Sequence, residues 1–221
     1  MQTQIQLSES TTYVLANQPM LFAKAELKGP AVNYARNEEI FGEGETAEYV
    51  YKVIGGSVRA FRILSDGRRQ IVAFYMPGDT FGLEPGDEHQ MSCEAVSAST
   101  ILLVKRTTVF KSAEQNVDVA RGILAVTASD LRRSQNHALL LIKNAQERLA
   151  AFILEMADRV VNKKGCVDLP MSRLDIADYL GLTIETVSRT LSQFVARSTI
   201  ELIASREIVL RNRAALSELN S

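Results

Sequence analysis

Glu185, Ser188 and Arg189 carry the side chains of this sequence best suited to reading a nucleic acid. A guanidinium such as Arg189 donates two parallel hydrogen bonds to guanine O6 and N7. A carboxylate such as Glu185 accepts from cytosine N4, and the Ser188 hydroxyl reaches a neighbouring base edge. At helical spacing Glu185 and Arg189 lie one turn apart, with Ile184 and Ser188 on the same face. A Glu–Arg pair at i, i+4 is also an ordinary helix salt bridge. The element that holds these residues decides between the two readings.

That element spans residues 172–194. Ser172 followed by Asp175 has the form of a capping box, which satisfies free N–H groups at a helix start. Ile176, Ala177 and Leu180 make the apolar stripe of a two-turn helix. Gly181 lets the chain reverse, Leu182 plugs the turn, and Thr183 caps a second helix that turns Val187, Leu191 and Phe194 inward. Helix, glycine-bearing turn and helix in one register predict a helix-turn-helix, whose second helix enters the DNA major groove by its N-terminal part. Ser172, Arg173, Thr183, Thr186 and Arg206 are the candidates for backbone contacts or caps. Thr199 to Leu202, a turn at Ala204-Ser205-Arg206, and Glu207 to Arg211 are expected to form a two-stranded wing.

Upstream the punctuation changes. Tyr49 to Ile54, Ser57 to Ile63, Ile71 to Tyr75 and Thr100 to Val104 read as short strands, separated by Gly55-Gly56, Asp66-Gly67 and Pro77-Gly78-Asp79. They predict a small antiparallel sandwich or barrel over residues 1–106. From Thr107 to Val161 there is no proline, and Leu124, Thr127, Leu131, Ser134, Ala138 and Leu141 recur at spacings of 3 and 4. This is a heptad seam, either a helix lying on its own β domain or a helix that pairs with a second copy. A further helix, Ala145 to Val161, carries Leu149, Phe152, Ile153, Met156 and Val160 at core spacing and is expected to stop at Asn162-Lys163-Lys164-Gly165. The break between the two parts is placed near Lys143-Asn144, giving a dimerisation helix and hinge at 107–143 and a DNA-binding part at 144–221. The fold class is α+β.

Composition bounds the rest. The 221 residues carry 25 Lys and Arg against 26 Asp and Glu, a net charge of −1. At face value this argues against a polyanion partner. Locally, however, Arg189, Arg197, Arg206, Arg211 and Arg213 face only Glu201 and Glu207 between residues 189 and 213. The run Ala138 to Ile142 is far too short to span a membrane. Met1 to Gln4 shows no secretory signal, and Cys93 and Cys166 form no Cys-x-x-Cys motif, so a reduced cytoplasmic protein with no membrane partner is expected. Two histidines, His89 and His137, are too few for a cupin-type metal site, and no metal is expected. A rival reading is a ligand-binding β-barrel protein or enzyme with a helical interaction tail.

Several motifs together resemble the CRP/FNR superfamily of bacterial transcription regulators, and within it the FixK group. They are Ile40-Phe41-Gly42-Glu43-Gly44-Glu45, Gly55, Asp66-Gly67-Arg68-Arg69-Gln70, Pro77-Gly78-Asp79-Thr80-Phe81-Gly82, Asn144 to Ala150, and Glu185-Thr186-Val187-Ser188-Arg189. The resemblance runs over nearly the whole chain. It implies a jelly-roll-like β-roll of the cyclic-nucleotide-binding type, a long dimerisation helix and a C-terminal winged helix-turn-helix. It also implies a homodimer that binds double-stranded DNA at a palindrome with TTGA-like arms and recruits RNA polymerase, mainly as an activator. The group's genes serve microaerobic respiration and nitrogen fixation.

Two departures bear on cofactors. The phosphate-holding Arg-Ser pair of the cyclic-AMP-responsive members is missing, since Phe81-Gly82-Leu83-Glu84-Pro85 is followed by His89-Gln90-Met91 with no arginine. No cysteine precedes Cys93, which argues against an iron–sulfur cluster. The expectation is a regulator with no cofactor, active without a ligand. Cys166 is the one candidate for a thiol switch; relatives can carry a cysteine near the start of the DNA-binding motif, where this chain has Ser172.

Overall fold

A computed structural model describes residues 27–160 and 166–219. The Met1 to Gln4 start and the helix stop at Asn162 to Gly165 lie outside them. Eight strands form two four-stranded antiparallel sheets packed face to face. One sheet orders β1 (Ala31–Tyr34), β8 (Ser99–Lys105), β3 (Tyr49–Gly55) and β6 (Thr80–Phe81). The other orders β2 (Glu39–Phe41), β7 (Ser92–Ala95), β4 (Val58–Ile63) and β5 (Arg69–Tyr75).

The β-branched and aromatic residues that marked the strands fill the space between the sheets. Tyr51, Val53, Val58, Ala60, Tyr75, Phe81 and Ile101 make one cluster, with Phe81 stacked between Tyr51 and Tyr75 at centroid distances of 5.1 and 4.8 Å. The Asp66-Gly67 turn joins β4 to β5 as expected, with Gly67 at φ +83° and the Arg68 N–H donating to Asp66 Oδ1. Strands β1, β2, β6 and β7 had no signal of their own beyond the β-roll motifs.

After β8 the chain turns helical at Arg106. The first segment, α1 (Arg106–Gln115), ends at Asn116, whose side chain caps a long second helix, α2 (Val117–Leu140). Val109, Val119 and Val126 pack on Val50 and Val104, so α2 is anchored on the first sheet by one stripe. The helical run breaks at residues 141–143 and restarts as α3 (Ala145–Arg159), started by a capping box between Asn144 and Glu147. Leu149, Phe152, Ile153, Met156 and Val160 are all buried, as their spacing required.

The remaining elements are β9 (Val167–Asp168), α4 (Arg173–Leu180), α5 (Ile184–Ala196), β10 (Ile200–Leu202), β11 (Glu207–Leu210) and α6 (Arg213–Leu219). The wing departs from expectation: it is a three-stranded sheet in the order β10-β11-β9, because the two-residue β9 pairs with β11 through Glu207↔Asp168 and Ile208↔Val167. The two halves of the chain also share a core. Phe61, Ile71, Phe74, Met76 and Val96 of the β-roll pack in one cluster with Phe152, Met156, Tyr179 and Leu180.

Candidate nucleic-acid interface

The helix-turn-helix forms as its sequence required. Ser172 Oγ accepts from the Asp175 N–H while Asp175 Oδ2 accepts from the Ser172 N–H, so α4 starts on a closed capping box. Gly181 takes the left-handed conformation at φ +62°, which an L side chain enters only with strain. Thr183 Oγ1 then accepts from the Thr186 N–H to start α5. Val187, Leu191 and Phe194 are buried beneath it.

On the opposite face of α5, Ile184, Glu185 and Arg189 are exposed and Ser188 is half-buried. The ordinary i, i+4 salt bridge is not formed. Arg189 makes no hydrogen bond or ion pair among the described residues. The Glu185 carboxyl is held below the usual glutamate range by its own backbone N–H and by the Thr183 hydroxyl. Both groups are therefore presented to solvent, charged and uncommitted to each other. Ser188 is not free in the same sense: its Oγ accepts from Arg173 Nη1 at 3.2 Å, a contact between the two helices that no one-dimensional pattern revealed.

The other candidates divide by what they touch. Ser172 and Thr183 are caps, and Thr186 Oγ1 lies 3.1 Å from Thr183 Oγ1. Arg206 on the wing donates to the Pro170 carbonyl at 3.2 Å and so ties the wing to the segment entering α4. Arg211 is paired with Glu201, and Arg213 with Asp158. The local arginine excess is thus smaller than the sequence suggested, because Asp158, from α3, reaches into it. Cys93 and Cys166 are both buried thiols, and burial pushes the Cys93 thiol well up.

The seam of α2 is left largely exposed, with Thr127, Leu131, Ser134, Ala138 and Leu141 bordering the open cleft between α2 and the β-roll. Leu124 is 69% and Leu131 58% exposed, and Thr127, Ser134 and Ala138 are exposed beside them, with Leu141 half-buried. The stripe that packs on the chain is Val119, Val126, His137 and Leu140, roughly a third of a turn away at ~100° per residue. A helix lying on its own β domain by the heptad seam is therefore not what forms. Leu139 and Ile142, absent from the seam reading, extend this unpaired apolar surface.

A cavity of about 570 Å³ lies between the β-roll and α2, lined by Val72, Tyr75, Leu83, Glu84, Met91 and Arg133 among others. Its one arginine is committed to Asp79 and Asp130. Beside it, His89 is buried against Phe41, its Nδ1 3.1 Å from Glu84 Oε1.

A winged helix-turn-helix joined to an antiparallel β-roll through a long helix with an unpaired apolar seam defines a DNA-binding regulator. Residues 147–219 match the Crp-like helix-turn-helix domain and residues 31–116 the cyclic nucleotide-binding domain. The nitrogen fixation regulation protein FixK of Azorhizobium caulinodans is 48% identical over 202 residues, covering 89% of this chain and 81% of that protein. FixK of Rhizobium meliloti is 38% identical, covering 88% and 90%. The solved structure of FixK2 from Bradyrhizobium japonicum superposes with a TM-score of 0.85 at 50% identity, covering 88% of this chain and 98% of that one. The chain belongs to the CRP/FNR family of transcription regulators, with FixK proteins among its relatives. It is not an enzyme, and the reading as a barrel enzyme with a helical tail falls.

Proposed function

We propose that this protein acts as a homodimer on palindromes with TTGA-like arms, mainly as an activator, without a bound effector. Arg189 and Glu185 read base edges, with Ser188 and Ile184 beside them; Arg173 meets the backbone. The observation that carries this reading is the Glu185–Arg189 pair left unformed at the start of a capped recognition helix. The exposed seam from Leu124 to Ala138 supports pairing of two copies, which sets two recognition helices about 34 Å apart on one duplex face. The cavity supports effector independence: its arginine is already neutralised, and Glu84 would repel a phosphate.

Kinship to the FixK proteins supports control of nitrogen fixation or microaerobic respiration genes. RNA polymerase is taken as the further partner, met through the β-roll, and the cytoplasm as the compartment; among the described residues no helix is long and apolar enough to cross a membrane. A thiol switch at Cys166 would first have to expose a buried sulfur. A gel shift on a TTGA-armed palindrome with no added ligand tests the reading. A retarded, two-fold symmetric complex is expected, and no shift without an effector overturns effector independence.

A further inference from the structure

The helix-turn-helix does not hang free of the β-roll. Asp175 uses Oδ2 to complete its capping box, and a cap needs nothing more. Its second oxygen, Oδ1, accepts from Arg59 Nη1 at 3.2 Å and from Arg69 Nη2 at 2.7 Å, both guanidinium groups belonging to strands of the β-roll. Arg69 Nε also donates to Asp178 Oδ2 at 2.8 Å, and Gln70 Nε2 donates to the Asp178 carbonyl at 2.8 Å. Arg59 is fixed from behind, through its Nε to Glu94 and its Nη2 to Asn37. Asp175 and Arg59 are 3% and 5% exposed.

Apolar contact between Phe74, Phe152 and Tyr179 already holds the two parts together, but such contact is non-directional and tolerates sliding. Charged, bidentate bonds fix orientation, and burying ion pairs adds little stability that well-packed apolar groups would not supply. The bonds grip α4 and involve none of the readers on α5, leaving Ile184, Glu185 and Arg189 exposed.

We propose that Arg59 and Arg69 are positioning residues for DNA binding: they lock the helix-turn-helix onto the β-roll in a pose that presents its reading face, replacing an effector. This rests on the DNA-binding reading above. Arg69 is the residue to change, because Arg59 is too buried for its removal to leave the fold intact. Arg69→Ala, Asp178→Ala and the double variant are compared with the parent for operator affinity at several salt concentrations, dimer state by sedimentation, and unfolding midpoint. If release lowers the populated fraction of the binding pose to about a tenth, affinity falls about tenfold.

The double variant should then lose no more than Arg69→Ala alone, since Asp178→Ala leaves the Arg69–Asp175 bond in place, and Arg69→Lys should recover part of the loss. Base discrimination and salt slope should match the parent, whereas a direct phosphate contact would lower the slope by about one. Spin labels at Ser65→Cys and Ser192→Cys read the pose without DNA; the parent should give a narrow distance distribution and Arg69→Ala a broad one. Parent affinity in the single variants, higher affinity, additive losses, a reduced slope, dissociated dimers, or an unchanged distance distribution each overturn the lock. A parent chain that binds no operator overturns the DNA-binding reading and the lock together, and is told apart from the other results by that measurement alone.

Discussion

At the scale of residues, what a charged side chain touches decides whether it is available to DNA. Arg189 makes no hydrogen bond or ion pair among the described residues, while Arg211 is held by Glu201. Arg189→Ala should therefore lose roughly 1–3 kcal/mol of operator affinity and relax preference at one base pair. Arg211→Ala should leave affinity within about twofold, as an exposed ion pair is worth little. Titrations on matched and singly changed sites check both, and equal losses in the two variants would refute the division. The sequence made Glu185, Ser188 and Arg189 legible because cap, turn glycine and stripe put them in one register. It did not reveal the partners of Arg206, Arg213 or Ser188, because Pro170, Asp158 and Arg173 reach them only through the way helices and wing pack.

At the scale of elements, periodicity predicted where α2 and α3 run, and the structure shows which stripe is used by the chain itself. Since the Leu124 to Ala138 seam is left unpaired, Leu131→Glu should weaken the dimer and, with it, operator affinity, leaving the single chain folded; sedimentation showing an intact dimer would count against the seam. The buried stripe holds a titratable group. His137 Nε2 donates to the Tyr179 carbonyl at 2.7 Å and its ring stacks on Tyr179 at 4.1 Å. Burial lowers its pKa below the ordinary 6.5, against the partial opposition of that hydrogen bond and of Glu155.

The folded chain thus binds this proton less readily than the unfolded one. The His137 contribution is fully present above about pH 6.5 and is lost as pH falls from there through the folded value. Urea midpoints between pH 5 and 8 should decline on the acid side, and His137→Gln should flatten that decline; an equal slope in both would exclude the residue. Short elements were the illegible ones. Strands β6 and β9 have two residues each, too few for a period, and exist because longer neighbours offer them an edge.

At the scale of the whole molecule, a chain of net charge −1 binds DNA through placement of a few groups, and placement here comes from a core shared between β-roll and helix-turn-helix. That shared core is the feature least visible beforehand, since Arg59 and Asp175 are 116 positions apart, the one reading as a strand charge and the other as a helix cap. It also changes what the cavity is needed for. In a regulator whose two parts are loosely joined, a ligand must supply the free energy that orders them. Under the proposed lock, apolar packing and directed ion pairs hold the pose, and the expectation is that no such contribution is required.

The cavity's polar groups point the same way: Arg133 is spent on Asp79 and Asp130, and Glu84 Oε2 has no partner among the described residues. A cyclic nucleotide present at a hundredfold its dissociation constant would stabilise the folded chain by about 2.7 kcal/mol. For a chain of this size that is a rise of roughly 5–10 °C in Tm. Millimolar cyclic AMP is expected to move the thermal midpoint by less than about 1 °C and to leave operator affinity unchanged. A shift of the larger size, with tighter operator binding, would show instead that the cavity still governs the pose.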